Sequence, residues 1–179
     1  EVGLESHGPV LITHWGVSGP AILKMSALAA RELAALDYQF SFSINWLNLS
    51  ESSVFDLLQK QKKNHPKSFV ANKSPFKEVP NRLWSRLVNT TQINQDQNWS
   101  DISLKKFNRL TKQLTATSLT SHGKTTFKEE FVTAGGVDLK EINFKRFESK
   151  LIPGLFFSGE VLNIDGLTGG FNFQNAWTG

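Results

Sequence analysis

Residues 38–46 alternate without a break. Tyr38, Phe40, Phe42, Ile44 and Trp46 fall on one side, and Gln39, Ser41, Ser43 and Asn45 on the other. Successive strand residues point to opposite faces, so this period of two predicts a half-buried strand. Upstream, "VLITHWGVS" at 10–18 reads as a short strand running into a turn, with Ser18 as a helix cap. Gly19-Pro20 opens a helix, where proline's missing N–H costs nothing, and the Ala- and Leu-rich stretch 21–36 continues it. The pattern changes at Ser50, a second cap, with Leu49 and Val54 at the flanking staple positions. That helix runs to Asn64, before His65-Pro66. Shorter helices are expected at 67–72, 80–89 and 103–114, with the polar "NTTQINQDQNWSD" as a loop. Alternation returns at Thr115, with a strand that turns at His122-Gly123-Lys124 and another in "EEFVTAGGV". "RFESKLIPGLFFSGEV" reads as a hairpin turning at Pro153-Gly154, which makes 155–158 a buried strand. The class is α+β, with a β part at 1–49 and 115–125 and a helical cluster at 50–114.

Composition narrows the chemistry. The chain has 179 residues, 39% hydrophobic, with 14 Phe and 5 Trp, enough for one good core or two small ones. It has no cysteine, which excludes disulfides, thiolate metal sites and a cysteine nucleophile, and fits a cytoplasmic protein. Residues 1–12 show no signal-peptide pattern. The longest apolar helical stretch holds Lys24, Arg31 and Glu32, so no membrane partner is expected. The net charge of +4 hides a division: Lys60 to Lys112 holds twelve Lys/Arg and three Asp/Glu, against eight and thirteen elsewhere. Such asymmetry marks separate structural units or a surface that meets an anion.

The closing stretch carries the most specific signal. An apolar strand ends at Gly159-Glu160, and Gly166-x-x-Gly169-Gly170 precedes a helix in "FNFQNAW". Helix N-termini present unpaired N–H groups and a partial positive charge, and glycines let a ligand approach the backbone. This is either a site for an anion or polar heterocycle, or a set of tight turns.

Three segments in order, "THWGVSGPAIL", "VTAGGV" and "ESKLIPGLFFSGEVLNIDGLTGG", resemble the BaiN-like (aminoacetone-oxidase-like) family of bacterial NAD(P)/FAD-dependent flavoproteins. The last of them is also similar to the closing flavin segment of glutathione-reductase-like FAD oxidoreductases. The resemblance implies an insert domain at 1–125, mixed-sheet or barrel-like around its helical cluster, and the terminal strands and helix of an FAD-binding domain at 126–179. It implies FAD as cofactor, NAD(P)H as a possible reductant, and a small-molecule substrate reached past the insert. By the same resemblance Glu160, after Gly159, would contact the ribityl chain. The backbone at Gly169, Gly170, Phe171 and Asn172 would face the pyrimidine edge of the isoalloxazine. Thr133, Ala134, Gly135 and Gly136 would lie near the ring. The sequence departs from the family in lacking the G-x-G-x-x-G that grips the pyrophosphate. The chain is therefore expected to be an inactive fragment whose partner is the rest of the FAD-binding domain.

Other residues admit plainer readings. His14 is the one candidate catalytic group; it either polarises a substrate or fixes the turn before Gly19-Pro20. His7, His65 and His122 lack metal-ligand spacing, so no metal is expected. Asp165 reads as a turn residue. Trp15 and Trp177 could line a ligand pocket. The basic helices form a solvated surface, a dock for acidic parts of the same protein, or a nucleic-acid contact with Trp84 and Trp99 stacking on bases. Nucleic acid is the alternative function and not the expected partner, because no recognised motif frames those tryptophans.

Overall fold

A computed structural model describes residues 3–125, 133–167 and 170–178. The chain divides into two compact units, Phe40–Ser121 and the combination of Glu1–Gln39 with His122–Gly179. Among the described residues there are six α-helices and three two-stranded sheets, an α+β arrangement.

The unit Phe40–Ser121 is built on its helices. Ser50 caps α3 (Glu51–Asn64) by accepting from the Ser53 amide at 3.2 Å, and Ser103 caps α5 (Leu104–Thr115) by accepting from the Lys106 amide at 3.4 Å. The two pack on each other through Val54 and Leu58 of α3 and the inward side of α5, Phe107, Leu110 and Leu114. Phe55 meets Phe107 edge-on at 5.0 Å. Between Pro80 and Thr91 lies α4 (Asn81–Thr90), which adds Trp84, Leu87 and Val88 to the same core. The strand β3 (Gln39–Ile44) shows the alternation read from the sequence, and it pairs with β4 (Thr117–His122). Trp46, just beyond β3, donates its ring N–H to Thr117 at 2.7 Å and its amide to the Leu114 carbonyl at 2.9 Å, which ties the sheet to α5.

Two expectations fail in this unit. Residues 67–72 are not helical: the segment after Pro66 pairs its backbone with residues 97–100, Val70 donating to the Gln97 carbonyl and Trp99 to the Ser68 carbonyl. That ladder supplies the partners a helix would have supplied. Trp84 and Trp99 do not reach the surface for bases to stack on. They stack on each other at 6.2 Å, almost wholly buried, and the Trp84 ring N–H bonds the Val70 carbonyl at 2.7 Å. Helical period placed Trp84 on the apolar side of α4, and burial of the large ring outweighs any exposed role.

In the other unit, 10–18 is a hairpin rather than one strand. β1 (Leu11–Ile12) pairs antiparallel with β2 (Val17–Ser18), Leu11 opposite Ser18. Ser18 is thus a strand residue and not a cap; Gly19 occupies the cap position of α1 (Pro20–Leu28). Its φ is 98°, and a Cβ there would lie 2.9 Å from both the Leu11 amide and the Pro9 carbonyl, so only glycine fits. The helix expected over 21–36 breaks at Ala29 into α1 and α2 (Ala30–Ala35). Asp37 and Tyr38, both left-handed, carry the chain from α2 into β3.

Further on, β5 (Ile142–Asn143) pairs antiparallel with β6 (Glu148–Ser149), and the last helix is α6 (Phe171–Thr178). The chain does turn at Pro153-Gly154, where the Gly154 amide donates to the Glu148 carboxylate at 2.9 Å. Residues 155–158 are not a buried strand. One antiparallel bridge joins Phe156 to Glu148, and both Leu155 and Phe156 are exposed. Among the described residues the strands pair two by two.

Trp84→Phe keeps the ring's bulk but leaves the buried Val70 carbonyl without its donor; chemical denaturation should show a loss of about 1–3 kcal/mol. Trp84→Ala also opens a cavity and should cost about 3–5 kcal/mol in the same measurement.

Candidate functional site

The glycine-rich segments meet in the unit that contains both termini. Val137 forms a parallel bridge to Leu162: the Val137 amide donates to the Val161 carbonyl at 2.9 Å, and the Asn163 amide donates to the Val137 carbonyl at 3.0 Å. Gly136 precedes this bridge with φ 137°. A Cβ on it would sit 2.5 Å from the Val161 oxygen and 2.6 Å from the Leu162 carbonyl carbon. The backbone can pass there only as glycine. Gly135, with φ 114°, has open space around it, and Thr133 and Ala134 are exposed.

The other side of the bridge leads back to the short 3-10 turn Gly159–Val161, which packs against α6. Gly159 and Gly170 both have positive φ, 80° and 98°, with no atom close to where a side chain would be. Glu160 is exposed beside them, and Phe171 is exposed at the start of α6. Asn172 is buried. Its side-chain oxygen accepts from the Gly166 amide at 2.8 Å and its NH₂ donates to the Gly166 carbonyl at 3.2 Å. The side chain therefore fastens the 166 turn to the helix, leaving the backbone at the helix start as the part able to meet a ligand. Gly169 lies outside the described residues, as does the 129–132 part of the strand expected in "EEFVTAGGV".

Arg31 was not singled out from the sequence, where it is one cation in an Ala-rich helix. In the fold, its guanidinium donates to the Asn163 side-chain oxygen at 2.6 Å and lies 3.5 Å from the Asp165 carboxylate. Asp165 is thus more than a turn residue: it pairs with α2 and helps hold the segment after the bridge. His14 stands at the exposed tip of the β1–β2 hairpin with its ring 3.8 Å from that of Trp15, and the hairpin closes through Thr13 and Gly16. Trp15 and Trp177 are both exposed. Among the described residues no cluster of His, Asp or Glu could hold a metal ion, and no helix is long and apolar enough to cross a membrane.

Gly136 thus lies on the 161–163 backbone, and the turn Gly159–Val161 packs against α6; Gly135, Gly159 and Gly170 each have open space where a side chain would be, and Glu160 is exposed. Glycine turns beside a helix start can let a polar ligand approach the backbone closely.

The fold is α+β, with one helical unit and a second unit that carries the glycine turns. The chain belongs to the HI0933-like family: residues 1–132 match the model of the HI0933-like protein barrel and H2TH domain. It is 32% identical over 174 residues to a ribosomal RNA dihydrouridine synthase of Escherichia coli, covering 94% of this chain and 40% of that protein. A ribosomal RNA dihydrouridine synthase of Haemophilus influenzae is 31% identical over 176 residues, 98% of this chain and 41% of that one. A 3-dehydro-bile acid delta(4,6)-reductase of Clostridium scindens is 27% identical over 185 residues, 99% and 43%. The chain thus spans about two fifths of the length of these relatives.

Gly136→Ala should destabilise the protein by about 1–3 kcal/mol, from left-handed strain and the clash with the residue 161–162 backbone. Gly16→Ala, at a glycine with open space and no positive φ, should stay within about 0.5 kcal/mol. Thermal unfolding of the two variants checks the contrast.

Proposed function

We propose that this chain supplies the isoalloxazine-facing cradle and the insert of an FAD-dependent reductase acting on ribosomal RNA. The observation that carries the reading is the close passage of Gly136 over the 161–163 backbone, next to the turn Gly159–Val161 that packs on α6. Two relatives named ribosomal RNA dihydrouridine synthases align along almost the whole chain. Making dihydrouridine from uridine adds two hydrogens across a ring double bond, and the flavin supplies the hydride chemistry, with NAD(P)H as the proposed reductant.

The residues of this chain bind and orient. Main-chain N–H groups at the start of α6 meet the pyrimidine edge of the flavin and favour negative charge there. Glu160 accepts hydrogen bonds from ribityl hydroxyls. Gly135 and Gly136 bring backbone close to the ring without side chains in the way. Arg31, through Asn163 and Asp165, holds the neighbouring segment in place. A small-molecule substrate is the second reading, favoured by the bile acid reductase relative.

The native full-length protein carrying this chain, given FAD, NADPH or NADH, and ribosomal RNA from cells lacking its gene, should form dihydrouridine measurable by nucleoside mass spectrometry. Nicotinamide oxidation driven by a small unsaturated carbonyl compound, with no RNA product, would overturn the RNA reading in favour of the second. In the same protein Glu160→Ala should weaken FAD binding about tenfold or more, since a hydrogen bond to a charged group contributes about 1.5–3 kcal/mol. A flavin fluorescence titration reads it.

A further inference from the structure

The helices of the Phe40–Ser121 unit carry charge in two different ways. On α3, Glu51 lies in the first turn and Lys62 and Lys63 in the last, where the helix dipole favours each sign. On α5 only Lys112, in the last turn, follows that pattern. Its first turn holds Lys105 and Lys106 and no acid, and the helix contains no Asp or Glu at all. Lys105, Arg109 and Lys112 recur at i, i+4 and i+7, all exposed, so they form one stripe of like charge. Neighbouring α4 has Arg82 and Arg86 exposed and likewise no acid. Among the described residues none of these cations forms an ion pair. Like charges at helical spacing, and cations at a helix start, each disfavour folding by a few tenths of a kcal/mol or more. Folding therefore does not explain the stripe.

Beside the stripe runs a groove of about 290 Å³, lined by Thr90, Thr91, Arg109, Lys112, Gln113 and Ser118 together with Ala116. Its cationic edge is held in position. The Arg109 guanidinium donates to the Gln92 side chain at 2.7 Å, and Gln92 sits left-handed at φ 63° in the turn after α4. A non-glycine residue in that conformation costs on the order of 1 kcal/mol, offset here by the bond that orients Arg109. The groove's hydroxyls are biased toward accepting. Exposed Thr90 donates its hydroxyl to the Leu87 carbonyl at 2.7 Å and keeps its oxygen as an acceptor, while buried Thr91 donates to the Val88 carbonyl at 2.6 Å. Fixed cations beside hydroxyl acceptors complement a backbone that alternates phosphates with donating ribose 2′-hydroxyls.

We infer that the α5 stripe of Lys105, Arg109 and Lys112, with the groove at Thr90 and Thr91, is the surface that docks the RNA backbone. The inference rests on the ribosomal-RNA reading above. With Trp84 and Trp99 buried, the surface grips phosphate and ribose instead of stacking on bases, so it positions RNA and does not select sequence.

The test is fluorescence anisotropy of the native full-length protein with a labelled ribosomal RNA hairpin across a salt series. Lys105→Gln/Arg109→Gln/Lys112→Gln should weaken binding at least about tenfold and reduce the salt slope by about three, one per phosphate contact. Lys60→Gln/Lys63→Gln on α3 should change affinity by less than about twofold. Arg109→Lys, which keeps the charge, should retain most of the binding, and circular dichroism should show unchanged helix content in all variants. In turnover, the triple variant should raise KM for RNA with kcat and the nicotinamide KM preserved. RNA binding by the triple variant equal to wild type overturns this surface while leaving the RNA reading standing. No RNA binding by the wild type overturns both. Equal affinity of the wild type for polyglutamate overturns RNA as the occupant and makes the groove a dock for acidic protein.

Discussion

Between Gly136 and the backbone of residues 161–163 there is no room for a side chain, and the candidate cradle depends on that close passage. The parallel bridge from Val137 to Leu162 fixes one segment against the other. From there the order spreads outward. The turn Gly159–Val161 lies on α6, Asn172 fastens α6 to Gly166, and Arg31 reaches across from α2 to Asn163 and Asp165. Apart from the Arg31 guanidinium, the hydrogen-bonded links are made by main chain or short polar side chains. A site made in this way presents N–H and C=O groups at fixed positions, as recognition of a flat polar ring requires.

The helical unit is organised by the opposite economy. Its buried apolar set is extensive, running from Val54 through Trp84 and Trp99 to Leu114, and two serine caps and the Trp84–Val70 bond supply local polar partners. With stability supplied by the core, the outer side of α5 can tolerate charges placed against the dipole and against one another. The unit holding the termini buries little by comparison: among its described residues Ala21, Ala29, Ile142 and Leu162 are the buried apolar ones, while Phe156, Phe171, Phe173 and Trp177 remain exposed. Its residues are arranged by backbone pairing and turns more than by a packed interior.

Part of this was readable in advance. The strand at 39–44, the helix capped by Ser50, the helix near 103–114 and the proline-opened helix at 20 all follow from local rules of period, capping and proline geometry. Glycine turns at 159 and 166–170 are recognisable by their spacing. The stretch 67–72 misled because its composition suits a helix, yet its backbone finds better partners in residues 97–100. Ser18 misled because a serine before Gly-Pro looks like a cap, whereas the hairpin claims it for β2. Nothing near Ala29 marks a helix break, and nothing around Arg31 marks its reach to Asn163 and Asp165, 132 and 134 positions away.

What residue order alone dictates here is the type and face of the longer elements, because hydrophobic period and caps act over a few residues. The charge asymmetry is equally local and needed no fold to be seen. Only the folded molecule decides that Trp84 and Trp99 turn inward on each other, that Gly136 lies beneath the Val161 carbonyl, and that Gln92 steadies Arg109 at a groove's edge. Those facts depend on contacts between distant positions, whose geometry is set by packing and closure of the whole chain and leaves no periodic trace in the sequence.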